Sequence, residues 1–298
     1  MKKVLCLLLA VLILCPVTGL TEETDAEIRM TEDAEKGFWE YVSPDLTIQV
    51  NRYRETKKIK GKKKTVEYCV ADIHASENAP MFPVMTDPSK KRVAGYKLVS
   101  PELLVEKANP IFAVSDDMYG LRIQKYKFQG VVIRNGEVMS TKTRNSKKSR
   151  AWPNLDTMAF YGDGTAKTFV CDALTADEYL EQGATQVLSF GPWLISEGTI
   201  NPEVMDPKYY PYNEPRVAIG VIEPYHYIVV VVKGRPTNQY AGVHLDWLAQ
   251  KMQELGCTEA LNLDGGATAT MFFNGKVILQ GDSSLRSQGS LLCFGAEE

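Results

Sequence analysis

The stretch Leu261-Asn262-Leu263-Asp264-Gly265-Gly266-Ala267-Thr268-Ala269-Thr270-Met271-Phe272-Phe273 sets one acid, two glycines and two hydroxyls between two apolar runs. Glycine has no Cβ, so the backbone at Gly265 and Gly266 can take positive φ or let another group approach closely. An acid at the mouth of such a turn is aimed at one place. The hydroxyls of Thr268 and Thr270 can bond a sugar, a phosphate or that same acid. A second reading stands beside this one. Asp-Gly-Gly also closes hairpins, so the segment reads as strand, tight turn, strand, with Asp264 stabilising the turn through its own backbone. Further acids occur at Asp116 and Asp117, at the end of an apolar run. The chain has three histidines, His74, His226 and His244, and none has metal-ligand spacing with another. No metal and no cofactor are expected on that basis.

These residues need elements to position them. Leu46 to Tyr53 and Val66 to Ile73 alternate apolar and polar residues, as strands do. Between them lies a basic run from Arg54 to Lys64, read as a solvated hairpin tip or a contact for anionic polymer. Residues 74 to 99 read as an irregular loop. Pro101 to Ala108 reads as a helix capped by Ser100, and Pro110 to Ser115 as an apolar strand leading into Asp116-Asp117. Asn135-Gly136 predicts a hairpin between residues 130–134 and 137–141, and Gly162-Asp163-Gly164 a second one. Thr175 to Gln182 reads as a helix and Gln186 to Phe190 as a strand. Residues 199–214 are rich in Pro and Tyr and read as a loop, either a sugar-stacking wall or a packed lid. Arg216 to Ile222 and Tyr225 to Val232 read as strands. From Val243 to Leu255, the apolar residues Leu245, Leu248, Met252 and Leu255 recur at helical spacing, and Gly256 ends the run. The fold class expected is α/β of the mixed α+β kind: one strand-rich domain with a mixed sheet and few helices.

The segment at Asn262 resembles the Asn-Leu-Asp-Gly-Gly-Gly-Ser-Thr-Thr-Met signature of the phosphodiester glycosidase family. That family includes the lysosomal enzyme that uncovers mannose 6-phosphate by removing a capping N-acetylglucosamine, and many secreted bacterial proteins labelled exopolysaccharide-related. Ser189-Phe190-Gly191-Pro192-Trp193-Leu194-Ile195 with Glu197-Gly198 is similar to the family's Phe-Gly-Pro-x-Leu block. Pro215-Arg216-Val217-Ala218-Ile219-Gly220 resembles its Pro-Arg-Thr-Ala-Ile-Gly, and Gly234-Arg235 the end of its Asp-Gly-Arg. Val-Ile-Arg-Asn-Gly, at residues 132–136, is similar to an earlier strand and turn of bacterial members. The blocks occur in the family's order over roughly residues 40 to 295.

The resemblance implies hydrolysis of a sugar-1-phosphate diester. A guanidinium makes paired hydrogen bonds to phosphate and stays charged, so Arg216 and Arg235 are the expected phosphate groups. Glycosidases place carboxyls across the scissile bond. Asp264 is expected as nucleophile, base or orienting acid, with Asp117, which matches the family's acid before an aromatic residue, as the second carboxylate. Gly265, Gly266, Thr268, Thr270, Asn262, Tyr119 and His244 complete the expected substrate site, His244 as a proton donor to phosphate or as a helix-capping histidine. Several positions depart from the pattern. Lys233 stands where members carry Asp, Ala267 replaces a third glycine, Ala269 loses a hydroxyl, Val217 replaces Thr, and Ser290 stands where an Asp is expected. These departures support the rival reading, a non-catalytic glycan-binding or envelope-assembly protein on the same fold.

Residues 1–20 carry a basic start and an apolar run, Val4 to Val17, that fits a secretory signal peptide. The run is short of the about 20 residues a transmembrane helix needs, and Cys15 leaves lipidation open. Residues 21–38 read as an acidic flexible lead and 39–298 as the domain. The expectation is a secreted or cell-surface protein acting on a glycan or sugar-phosphate polymer, with no membrane span after cleavage. A formal charge of −3 gives no reason to expect nucleic acid. Cys69, Cys171, Cys257 and Cys293 permit disulfides in an exported chain but suit buried thiols equally.

Overall fold

The computed structural model describes residues 28–59, 61–86, 98–117, 130–142, 153–235 and 239–296. The expected signal segment, residues 21–27 of the acidic lead and Tyr119 lie outside the described residues. In chain order the first strands are β1 (Arg29–Asp33), β2 (Phe38–Val42), β3 (Thr47–Ile59), β4 (Lys62–His74) and β5 (Phe82–Met85), followed by α1 (Pro101–Ala108) and β6 (Pro110–Ser115). Next come β7 (Gly130–Arg134), β8 (Glu137–Lys142), β9 (Thr157–Tyr161), β10 (Ala166–Phe169), α2 (Ala176–Glu181), β11 (Ala184–Ser189), β12 (Trp193–Ser196) and β13 (Thr199–Ile200). The chain closes with β14 (Arg216–Glu223), β15 (His226–Lys233), α3 (Leu245–Glu254), β16 (Glu259–Leu263), a 3₁₀ turn at Gly266–Thr268, β17 (Thr270–Phe273), β18 (Lys276–Gln280) and β19 (Ser290–Ala296).

The strands form one nine-stranded sheet, ordered β1-β2-β3-β4-β15-β14-β16-β12-β13, and two five-stranded sheets, β10-β9-β11-β7-β8 and β18-β17-β6-β19-β5. One face of the large sheet packs against both smaller sheets. The joint core holds Ile48, Val50, Cys69, Val217, Val229, Val231, Leu261 and Leu263 from the large sheet, with Phe112, Met158, Leu188, Met271 and Phe294 from the others. The opposite face carries Val66, Tyr68, Val70, Ile228, Val230 and Val232, covered by Leu245, Leu248 and Met252 of α3. The unbroken apolar run of β15 is thus explained: its odd and even residues enter two different cores. Each leucine buried from α3 contributes about 1.5–3 kcal/mol by leaving water. Helix α1 backs one small sheet and α2 the other.

Most expected elements form. Asn135 and Gly136 both take positive φ in the β7–β8 turn, and Thr175 caps α2 with a capping box. Ser100 occupies the cap position of α1 without a side-chain capping bond. Three expectations change. Every ladder between named strands is antiparallel, where a mixed sheet was expected, because each neighbour in the large sheet arrives by a hairpin or a crossing that reverses direction. The folded part starts at β1, ahead of Trp39: Arg29–Asp33 pairs with β2, and Glu32 reaches Asn274 and Lys276 across the molecule. The basic run forms the tip of the expected hairpin, with β3 and β4 paired up to Ile59 and Lys62. Within residues 74–99, β5 forms along β19. The four cysteines among the described residues, Cys69, Cys171, Cys257 and Cys293, are free thiols. Burial raises those of Cys69 and Cys257 to about 12.

Candidate active site

Asp264 stands where β16 leaves the large sheet. The Asp-Gly-Gly segment is not a hairpin: β16 belongs to the nine-stranded sheet and β17 to a five-stranded one, so residues 264–269 cross between two sheets. Two glycines make the crossing possible. A Cβ on Gly265 would overlap the Pro215 carbonyl oxygen and sit 3.1 Å from the Arg216 Cα. Gly266 has φ +62°, and its N–H donates to that same Pro215 carbonyl at 2.9 Å. Asp264 itself is 7% exposed, and its N–H donates to the Asp116 carbonyl at 3.1 Å.

Arg235 follows β15 and approaches the turn from the open side. Its Nε donates to Asp282 Oδ2 at 3.1 Å and its Nη1 to Glu214, while its Nη2 lies 3.1 Å from where a Gly266 Cβ would be. Arg235 is thus oriented by two carboxylates with its remaining edge against the glycine turn. Arg216, at the start of β14, is 3% exposed. Its Nε donates to Val243 O at 3.2 Å and its Nη2 to Tyr212 O at 3.0 Å, and its guanidinium lies 5.2 Å from the Tyr210 ring centre. Burial lowers its pKa to about 10, so it stays charged at neutral pH. Arg216 therefore ties the Pro/Tyr loop and the approach to α3 onto the sheet. Arg216, expected as a phosphate group, is thus buried beneath this loop, and Tyr209 and Tyr210 pack against the core beside α3.

Asp117 also differs from expectation. It is fully buried, ion-paired to Arg134, and accepts from the Ser189 N–H at 2.5 Å. Asp116 lies 3.4 Å from the same guanidinium and accepts from the Ser290 hydroxyl. Arg134 also donates to Val187 O at 2.8 Å and Ile133 O at 3.1 Å. Burial opposes the Arg134 charge, but the two carboxylates outweigh it and raise its pKa. Asp117 is therefore a buried anchor rather than a carboxylate across the scissile bond. Arg134 is the residue the sequence reading passed over. Its signal was a lone charge closing an otherwise apolar strand, Gly130–Arg134.

Asn262 and Thr270 are also supports. Asn262 is fully buried, and its backbone and side chain clasp Gly191-Pro192 through bonds of 2.9–3.1 Å. The Thr270 hydroxyl donates to Thr268 O at 3.0 Å. Thr268 is 2% exposed, and its Oγ1 has no hydrogen-bond partner among the described residues, nor has Gln288 Oε1 close by, whose amide donates to Thr268 O. His244 occupies the cap position of α3 without a side-chain cap bond. Burial lowers its pKa below 6.5, helped by Lys57 and Arg216 against Asp246. A neutral imidazole is a weak proton donor to phosphate. Lys233 points away from the turn, 3.4 Å from buried Glu67 and 4.4 Å from the Tyr240 ring centre. Tyr119 lies outside the described residues.

The structure thus brings together Asp264, Gly265, Gly266, Thr268 and Arg235, with Arg216, Asn262 and Asp117 behind them. An acid at the head of a glycine turn, with an arginine against that turn in a layered antiparallel scaffold, suits a hydrolase domain of the glycosidase type. The chain belongs to the phosphodiester glycosidase family, whose pattern residues 108–294 match over more than half of its length. It is similar in fold to the catalytic domain of zebrafish N-acetylglucosamine-1-phosphodiester alpha-N-acetylglucosaminidase, auto-inhibited by its pro-peptide, with TM-score 0.61 and 20% identity over 86% of this chain and 85% of that one. A hypothetical protein from Synechocystis gives TM-score 0.57 and 13% identity, over 86% of this chain and 63% of the other. In sequence it is 24% identical over 209 residues to the SPbeta prophage-derived uncharacterized protein YomE of Bacillus subtilis strain 168. That match covers 66% of this chain but 32% of YomE, so the chain spans about a third of that relative's length.

Proposed function

We propose that this protein is an exported glycosidase that hydrolyses a sugar-1-phosphate diester in a cell-envelope or extracellular glycan. The observation that carries the reading is a glycine turn that begins at buried Asp264 and has the Nη2 edge of Arg235 against Gly266. A phosphodiester leaves as an anion and needs little protonation, so one carboxylate and one oriented guanidinium supply the main requirements. Arg235 takes the phosphate, held in aim by Glu214 and Asp282. Asp264 acts on the anomeric carbon, directly or through water. Arg216, Arg134, Asp117 and Asn262 position these groups. The signal-like start of the sequence and the glycan-directed family support export and an extracytoplasmic site.

The test is sugar release from an α-N-acetylglucosaminyl-1-phosphodiester, and from a panel of other sugar phosphodiesters, by the parent chain beside Asp264→Asn. Release by the parent that disappears in the variant is the expected outcome. No release across the panel, with retained glycan binding, would favour the binding-protein rival instead. Lys233 gives that rival little support, because its ammonium is turned toward Glu67 and Tyr240 rather than into the turn. Ala267 and Ala269 remain its features.

A further inference from the structure

At the end of the large sheet remote from Asp264, β4 finishes at His74 and β15 begins at His226. The two histidines face each other in antiparallel register. Asp72 lies two residues before His74 and so shares its face of the sheet. His226 Nε2 is 2.8 Å from Asp72 Oδ1, and His74 Nε2 is 3.3 Å from the same oxygen. The two imidazoles stack with ring centres 3.8 Å apart and planes 28° from parallel. One ligating atom of each residue lies within 4.8 Å of the other two.

We propose that Asp72, His74 and His226 form a binding site for one borderline divalent cation, with zinc the best-matched ion. Two imidazoles and one carboxylate are a donor set zinc accepts with water in the fourth position. Calcium and magnesium prefer oxygen donors throughout. Tetrahedral zinc with bonds of about 2.0–2.1 Å holds its donors roughly 3.3 Å apart. The present separations of 3.3 and 2.8 Å from Asp72 Oδ1 lie within about half an ångström of that value. Strand pairing fixes the Cα positions. Ile73 and Tyr227, which flank the site on the two strands, are buried in the core. Near-parallel rings cannot both aim in-plane lone pairs at one ion, so binding turns one ring out of the stack. His74, with 57% of its side chain exposed, has room to turn, whereas His226, at 13%, keeps its place. Zinc replaces the proton shared between His226 Nε2 and Asp72, and a neutral imidazole keeps its proton on Nδ1 instead.

The ion would staple β4 to β15. Counting along β15 from His226 to Lys233, the site lies roughly 24 Å from the Arg235 end at about 3.4 Å per residue. It is therefore a structural site and takes no part in the glycosidase chemistry, so its test is independent of that reading. The untagged full chain, stripped with a chelator, is titrated with zinc chloride by calorimetry and analysed for bound metal after dialysis. One zinc per chain is expected. His74→Gln and His226→Gln should each weaken binding by about tenfold or more. Zinc should raise the melting temperature of the parent and not of His74→Gln. Should His226→Gln fail to fold, the exposed His74→Gln decides the matter. No saturable binding, or equal affinity in parent and His74→Gln, would overturn the site.

Discussion

Replacing Arg134 with Met tests whether the floor of the site is held by charge. The side chain is 2% exposed and close in volume to methionine, so the change removes donors more than bulk. It leaves Asp116 and Asp117 buried without their shared cation and removes bonds to Val187 O and Ile133 O. Stranding a buried ionic partner costs about 3–5 kcal/mol. Each lost neutral bond adds about 0.5–1.5 kcal/mol. The sum, about 4–8 kcal/mol, is a large part of the ~5–15 kcal/mol that separates folded from unfolded domains. At about 2–4 °C per kcal/mol for a chain of this size, melting should fall by roughly 10–30 °C. Calorimetry at pH 7 measures it. Two further outcomes follow from the same cause. Adding Asp117→Asn should recover part of the loss, since one stranded charge is gone. Acidification should narrow the gap to the parent, because an unpaired buried carboxylate escapes its penalty by taking up a proton. A melting temperature within about 3 °C of the parent, or a gap that widens in acid, would refute the claim that the Arg134 charge holds this buried cluster.

Three other outcomes are expected. Gly265→Ala should lower stability by about 2–5 kcal/mol, combining overpacking with the loss of the Gly266–Pro215 bond. In contrast, Gly162→Ala, whose Cβ would meet only Thr185 Cγ2 at 4.0 Å, should be near neutral in the same urea titration. Arg235→Gln should cut turnover of the active sugar phosphodiester about 10²–10³-fold with little change in melting temperature, since its side chain is only half-buried; an unchanged kcat would remove it from the site. His244 has a folded pKa below its unfolded 6.5, so its protonation favours the unfolded chain. That histidine costs nothing above pH 6.5 and costs stability as pH falls through its folded pKa. His244→Gln should thus gain on the parent between pH 7 and pH 5 in urea unfolding, and a constant difference would contradict the burial assigned to it.

Local signals read well from the chain, and pairings between distant segments did not. Asn135-Gly136 gave its hairpin because turn chemistry is decided by two residues. The spacing of Leu245, Leu248 and Met252 gave α3 because one face of a helix repeats in sequence. Asp264 and the paired glycines announced a special turn, yet a local motif cannot say whether its two flanking strands share a sheet, and here they do not. Asp117 matched a family position, but its role depends on Arg134, which arrives from another strand. His74 and His226 have no metal spacing along the chain and meet only because β4 and β15 are neighbours. Arg216 stands as expected at a strand end, but which atoms of a guanidinium are already engaged depends on the loop above it.

The crossing at residues 264–269 joins a nine-stranded sheet to a five-stranded one, and this limits how the protein can change. A residue on a surface loop can shift by an ångström while the rest of the molecule stands still. Asp264 cannot, because its peptide is bonded to the strand end at Asp116 and its glycines are wedged against Pro215. Moving it means sliding two close-packed layers over one another, which dense interiors resist. By the same mechanics, a core substitution that alters the angle between the sheets would register as lost turnover before it registered as unfolding.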